Sequence, residues 1–226
     1  MPLNVARIKA VCLDIDGTLR ETDDYYVERL SSLLRPFKQL LPGGDVRKFA
    51  RWVIMRLEGP GNIFMTIPDR LGIDDQIASV LERVRNIRPR NHGGHLQMVS
   101  QVDVVLERLA GKYPLSVVTS RGKRSTLAFL EDNKLSQYFD HVVTALTAKR
   151  TKPHPAPILW AARQMGVSPA ECVMVGDTSV DVKAGKAARA QTVGVLSGFG
   201  EENELRESRA DLILASVAEL PDILLG

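Results

Sequence analysis

Six residues have types and spacings suited to chemistry on an anionic oxygen: Asp14, Asp16, Thr119, Lys152, Asp177 and Asp181. The first two stand in Val11-Cys12-Leu13-Asp14-Ile15-Asp16-Gly17-Thr18-Leu19. The apolar run 8–13 reads as a strand buried on both faces of a parallel sheet, and Gly17 frees the chain to turn away. At a period of two, both carboxylates leave the strand end on the same side. Two such acids repel each other unless a cation sits between them. A hard cation such as Mg²⁺, which takes oxygen ligands and keeps waters that a phosphate can displace, is the economical partner. The bland alternative is an acidic turn after a core strand.

The other candidates also follow apolar runs. Leu115-Ser116-Val117-Val118 ends in Thr119-Ser120-Arg121-Gly122, where a hydroxyl and the free N–H groups of a loop opening a helix make a phosphate cradle. Lys152 lies in Thr151-Lys152-Pro153-His154-Pro155. The prolines stiffen that loop, so the ammonium is held where it offsets carboxylate and phosphate charge. Val173-Met174-Val175-Gly176 ends in Asp177, with Asp181 four residues on and on the same side of an opening helix. Asp177 is assigned to a metal and Asp181 to a supporting position around it, although Asp177 or Thr178 would also serve as a plain helix N-cap.

The elements that must position these residues alternate. Strands are expected near 115–118, 142–144, 172–175 and 192–195, with a weaker one at 212–214. Helices are expected near 100–110, 123–133, 156–165 and 180–188. That order implies a doubly wound, Rossmann-like parallel α/β sheet, which binds ligands outside the carboxyl ends of its strands. Between the first strand and residue 96 the pattern is helical only: 23–37, a second helix capped by Asp45 and running to 57, and short segments near 65–71 and 74–86. The expected organisation is therefore an α/β core of residues 1–19 and 96–226 carrying an inserted helical domain at 20–95.

The chain has 226 residues, 44% of them apolar and 25% charged, ample for a buried core. A net charge of +3 is too small to argue for nucleic acid. Within 20–90, 13 Lys and Arg face 10 Asp and Glu, which suits an anionic substrate or a solvated helical surface equally. Cys12 and Cys172, both in expected strands, read as reduced core thiols, and no run of 18 apolar residues occurs. A cytoplasmic protein without membrane or nucleic-acid partners is expected, as monomer or homodimer.

These motifs, in this order, resemble the signature of the haloacid dehalogenase superfamily, mostly phosphatases with an aspartate nucleophile. The helical insert matches the C1 subgroup, which holds phosphoglycolate phosphatase-like and β-phosphoglucomutase-like proteins. The resemblance implies a Mg²⁺-dependent phosphatase of a small phosphorylated metabolite, working through an aspartyl-phosphate. It implies Asp14 as nucleophile and Asp16 as acid and base, and Mg²⁺ on Asp14, the Asp16 carbonyl and Asp177. It further implies Thr119, Ser120 and Lys152 on the phosphoryl oxygens. The dehalogenase branch needs no metal and lacks an acid at the place of Asp16, so its presence favours phosphate chemistry.

Arg20, Tyr25, Tyr26 and Asn62 are candidates to face the substrate. A phosphonate-cleaving enzyme would need a lysine in the insert, where only Lys38 and Lys48 occur, both in helical patterns. His92 and His95 lie in a glycine-rich linker without a third ligand. His154 belongs either to the site or to the surface, His141 opens a strand, and Trp52 and Trp160 sit on apolar helix faces. Three other readings stay open: a phosphomutase using the same acids, a phospho-accepting module like a receiver domain, and a binding scaffold without turnover.

Overall fold

A computed structural model describes residues 2–21, 30–40, 45–47, 49–50 and 98–226. The chain divides into two compact units, Met1–Thr22 with Leu96–Gly226, and Asp23–His95. In the first unit, six parallel strands form one sheet: β1 (Ala10–Leu13), β2 (Leu115–Val118), β3 (His141–Val143), β4 (Cys172–Gly176), β5 (Gln191–Val195) and β6 (Leu212–Leu214). Their spatial order is β3-β2-β1-β4-β5-β6, the doubly wound arrangement whose direction of winding reverses between β1 and β4. Helices α1 (Val102–Ala110), α2 (Lys123–Asp132), α3 (Ala156–Gln164) and α4 (Ser179–Ala188) connect the strands, and α5 (Glu202–Glu207) and α6 (Leu220–Leu225) complete the unit.

Strand alternation builds two cores. Val11 and Leu13 of β1, with Val173 and Val175 of β4, share a core with Val102, Val105, Leu106 and Leu109, the i, i+3, i+4, i+7 stripe of α1. Ala10 and Cys12, with Cys172 and Met174, face Ile158, Ala161 and Ala162 of α3 and Ala184 and Ala188 of α4, where small side chains bring the helices close. With both faces covered, β1 reads as an uninterrupted apolar run rather than an alternation.

Several bounds differ from the sequence expectation. The first strand begins at Ala10 rather than Ile8, whose N–H instead closes the 3-10 turn of Val5–Arg7 by donating to Val5 O at 2.9 Å. The third is His141–Val143 and excludes Thr144, whose N–H is donated to Thr147 Oγ1 at 2.9 Å instead of to a neighbouring strand. Helices α5 and α6 have no counterpart among the expected elements.

In the second unit, the helix expected over 23–37 is helical at 30–34 and tightens to a 3-10 helix over Arg35–Leu40, where Pro36 supplies no N–H. Asp45 accepts the Arg47 N–H at 3.1 Å, the hydrogen bond of an N-cap. Tyr25, Tyr26, Lys48, Trp52, Asn62, His92 and His95 lie outside the described residues; Lys38 is exposed.

Candidate active site

The switch point determines which side chains meet. Leu13 pairs with Val175, and the Asp14 N–H donates to Val175 O at 2.9 Å, so the chain after β1 leaves the sheet directly beside the chain after β4. Asp14 follows β1 and Asp177 follows β4. Ligand oxygens of Asp14, Asp177 and Asp181 lie within 4.8 Å of one another, and all three residues are buried.

Lys152, from the loop between β3 and α3, reaches into this cluster with a side chain only 3% exposed. Its Nζ lies 2.8 Å from Asp14 Oδ1 and 2.6 Å from Asp181 Oδ1. The other oxygen of Asp181 accepts from the Thr178 N–H at 3.1 Å and the Thr178 hydroxyl at 2.7 Å. Thr178 is the N-cap residue of α4, so one capping interaction also fixes the carboxylate that holds Lys152. The capping of α4 and the hold on Lys152 are thus a single arrangement.

Asp177 is held by close backbone approach. Its Oδ2 accepts the Phe199 N–H at 2.7 Å. A Cβ added at Gly17, where φ is +75°, would stand 2.2 Å from that oxygen, and one at Gly198 would stand 2.0 Å away. Ser197 ties the same loop down by donating its hydroxyl to Gly17 O at 2.8 Å.

The charges do not balance. With all three ionised, the buried carboxylates would exceed the one ammonium by two negative charges. Burial pushes the Asp14 carboxyl up to about 7; Lys152 opposes the rise, while Asp181 and Asp16 add to it. Burial likewise raises Asp177 well above the carboxylate range, reinforced by Asp181 and Asp14 and opposed by the Phe199 N–H and Lys152. For Lys152, burial works against the charged form but is outweighed by Asp14 and Asp181, and the pKa is raised.

Asp16 behaves differently from its neighbour. Its carboxylate does not join the buried cluster but meets two guanidiniums, Arg20 at 3.0 Å and Arg121 at 2.6 Å, and stays 35% exposed. The repulsion expected between Asp14 and Asp16 is offset in part, since Lys152 faces one acid and two guanidiniums the other, but Asp16 still adds to the raised Asp14 pKa. Thr119 is buried at the end of β2; its N–H donates to Val143 O at 2.9 Å and its Oγ1 accepts the Arg121 N–H at 3.2 Å. Ser120 is half-buried beside it. His154 accepts the Ala156 N–H on Nδ1 at 3.1 Å, which places it at the opening of α3. His141 opens β3 and meets Trp160 edge to face.

Sequence reasoning missed Arg121 and the 197–199 loop, and it read Thr178 as an N-cap without its hold on Asp181. Arg121 directly follows the hydroxyl pair Thr119-Ser120, and Ser197-Gly198-Phe199-Gly200 follows β5, so the strand-end rule that found the acids also reaches both.

A sheet of this order with buried acids and a lysine at its switch point defines an α/β enzyme that works on an oxyanion. Residues 11–195 match the model of the haloacid dehalogenase-like hydrolase family. The chain belongs to that family and is a hydrolase. It is similar to the pyrophosphatase PpaX of Bacillus pumilus, 28% identical over 222 residues spanning 96% of this chain and 97% of the relative. It is also similar to the phosphoglycolate phosphatase of Nitrosococcus oceani, 28% identical over 225 residues and 95% of each chain. Among solved structures it resembles that of a Haemophilus somnus protein described as a predicted phosphoglycolate phosphatase. The TM-score is 0.67 at 21% identity, over 96% of this chain and 98% of that one, a likeness of fold.

Proposed function

We propose that the protein is a Mg²⁺-dependent phosphatase of a small phosphorylated metabolite, acting through an aspartyl-phosphate on Asp14. The observation that carries this reading is the buried Asp14 carboxylate, 2.8 Å from Lys152 and grouped with Asp177 and Asp181 at the sheet's switch point. The names of its relatives, a pyrophosphatase and a phosphoglycolate phosphatase, agree in the bond broken, a phosphorus–oxygen bond of a small molecule.

The residues present fit a divalent cation: a buried all-oxygen donor set with two uncompensated negative charges suits a hard dication. Asp14, Asp177 and the Asp16 carbonyl would hold it, with Asp181 in support through Lys152 and Thr178. When bound, Mg²⁺ offsets charge on the nonbridging phosphoryl oxygens.

In the first step an Asp14 carboxylate oxygen bonds to phosphorus as the bond to the leaving oxygen breaks, and Asp16 gives that oxygen its proton. In the second, Asp16 takes a proton from water, the water oxygen bonds to phosphorus, and the acyl phosphate bond breaks, releasing inorganic phosphate and restoring Asp14. Lys152, Thr119 and Ser120 hold the phosphoryl oxygens in line, and Arg20 faces the substrate from beside Asp16. The helical insert at 20–95 is the segment we assign to the choice of leaving group. The free, buried thiols Cys12 and Cys172 suit a reducing compartment such as the cytoplasm.

The test is phosphate release from a panel of phosphorylated metabolites with and without Mg²⁺, in wild type and Asp14→Asn. Metal-dependent release abolished by the substitution supports the reading. Conversion of a phosphosugar without release would turn it toward a phosphomutase, and no turnover at all would refute it.

A further inference from the structure

Two arginines crowd one oxygen of Asp16. Arg20 Nη1 and Arg121 Nη1 lie 3.0 and 2.6 Å from the same atom, Oδ1. They arrive from separate parts of the first unit: Arg20 forms backbone bridges with Asp16 and Met98, and Arg121 follows β2. One carboxylate against two guanidiniums leaves one positive charge in excess. Neither arginine has another ion-pair partner among the described residues.

The guanidiniums are also incompletely used. Both Nε–H groups are buried and lack a hydrogen-bond partner, a state that carries a free-energy penalty and is uncommon in folded proteins. An arginine fork binds an oxyanion best through two parallel N–H groups, and here each fork is engaged through a single nitrogen on a shared oxygen. Side chains 17% and 20% exposed keep the pair open to a ligand without leaving it fully hydrated. If their purpose were only to neutralise Asp16, one arginine would suffice.

We propose that Arg20 and Arg121 form a second oxyanion subsite beside Asp16, taking a phosphate or carboxylate carried on the leaving group. This rests on the assignment of Asp16 as the acid that protonates the leaving oxygen, since that places both arginines where the leaving group departs. The substrate class is thereby narrowed to phosphoesters and phosphoanhydrides whose leaving group is itself an anion. The guanidiniums bind that anion before the bond breaks and hold its charge beside the proton donor as it leaves.

The test uses three non-hydrolysable ligands on the whole Mg²⁺-loaded protein, with Mg²⁺ in excess of the ligand. Methylphosphonate has one oxyanion, methylenediphosphonate a second phosphonate, and phosphonoacetate a carboxylate. By calorimetry, at least one two-anion ligand binds about tenfold or more tightly than methylphosphonate, as charge-assisted hydrogen bonds of this kind allow. Whichever ligand is favoured identifies the anion as phosphate or carboxylate. Arg20→Met and Arg121→Met each lower that preference by about tenfold, while Arg20→Lys keeps part of it. No preference in wild type overturns the proposal. So does an equal weakening of all three ligands in the variants, which would make the arginines positioning residues for Asp16. Thermal melting checks each variant; should a methionine variant fail to fold, the wild-type comparison and Arg20→Lys decide. Failure of the phosphatase reading is separate: it appears as absence of metal-dependent phosphate release, whatever the ligand preference.

Discussion

Replacing Asp14 with asparagine should make the metal-free protein more stable at alkaline pH, although it removes a partner of Lys152. Burial raises the Asp14 carboxyl from 3.8 to about 7 in the fold. The folded chain therefore holds a proton there that the unfolded chain has already released, and folding stability falls as pH rises between those values. Above the window the cost is at most roughly 4 kcal/mol, at about 1.4 kcal/mol per tenfold change in proton affinity. Lys152 keeps Asp181 at 2.6 Å in the variant, and its attraction for the Asp14 carboxylate is already contained in the value of about 7. The gain is therefore up to roughly 4 kcal/mol, a rise of up to about 8–16 °C for a chain of this size. The assay is thermal unfolding in EDTA at pH 8 and again at pH 4, followed by the same melts in Mg²⁺. The variant should melt higher at pH 8, lose that advantage at pH 4 and gain less from Mg²⁺ than wild type. A variant that melts lower at pH 8, or a gap independent of pH, would contradict a raised Asp14 pKa in the fold.

Removing the ammonium should act in the opposite sense. Lys152→Met leaves the Asp14 and Asp181 carboxylates buried without their cation and should cost about 3–5 kcal/mol in urea unfolding, partly restored by Mg²⁺; a loss under 1 kcal/mol would contradict the buried ion-pair network. Gly17→Ala places a Cβ 2.2 Å from Asp177 Oδ2 at a φ of +75°. Backbone strain alone costs about 1–2 kcal/mol there, and the Mg²⁺-induced rise in melting temperature should shrink as Asp177 moves; an unchanged rise would mean that Asp177 takes no part in holding the metal. Phe129→Ala, fully buried on α2 within the core cluster that includes the α1 stripe, should cost about 3–5 kcal/mol while leaving the pH dependence of metal-free stability as in wild type.

Much of the core was legible because a doubly covered strand is a plain apolar run with few competing readings. The runs around Val11, Val117 and Val173 each mark a strand, and the chemistry-bearing residues stand where those runs stop. What failed to show was whatever depends on partners distant in sequence. Thr144 has the composition of a strand residue, but Thr147 captures its N–H. Asp16 looks like a twin of Asp14 until Arg121, 105 residues further on, closes on it and gives it a separate charge environment. The glycine contacts on Asp177 are set by how closely two loops approach, which spacing along the chain does not encode. Helix α5, Glu202–Glu207, is a six-residue piece with one buried side chain, Leu205, too short for a periodic signal.

The most direct test of the central claim is to trap the covalent intermediate. Wild type turning over its preferred substrate with Mg²⁺ is quenched in acid and treated with borohydride, which reduces an acyl phosphate to an alcohol, and the digest is mapped by mass spectrometry. Homoserine is expected at position 14 and nowhere else, absent when substrate is omitted. Intact Asp14 under turnover, with phosphate still released, would contradict it and assign the attack on phosphorus to another group.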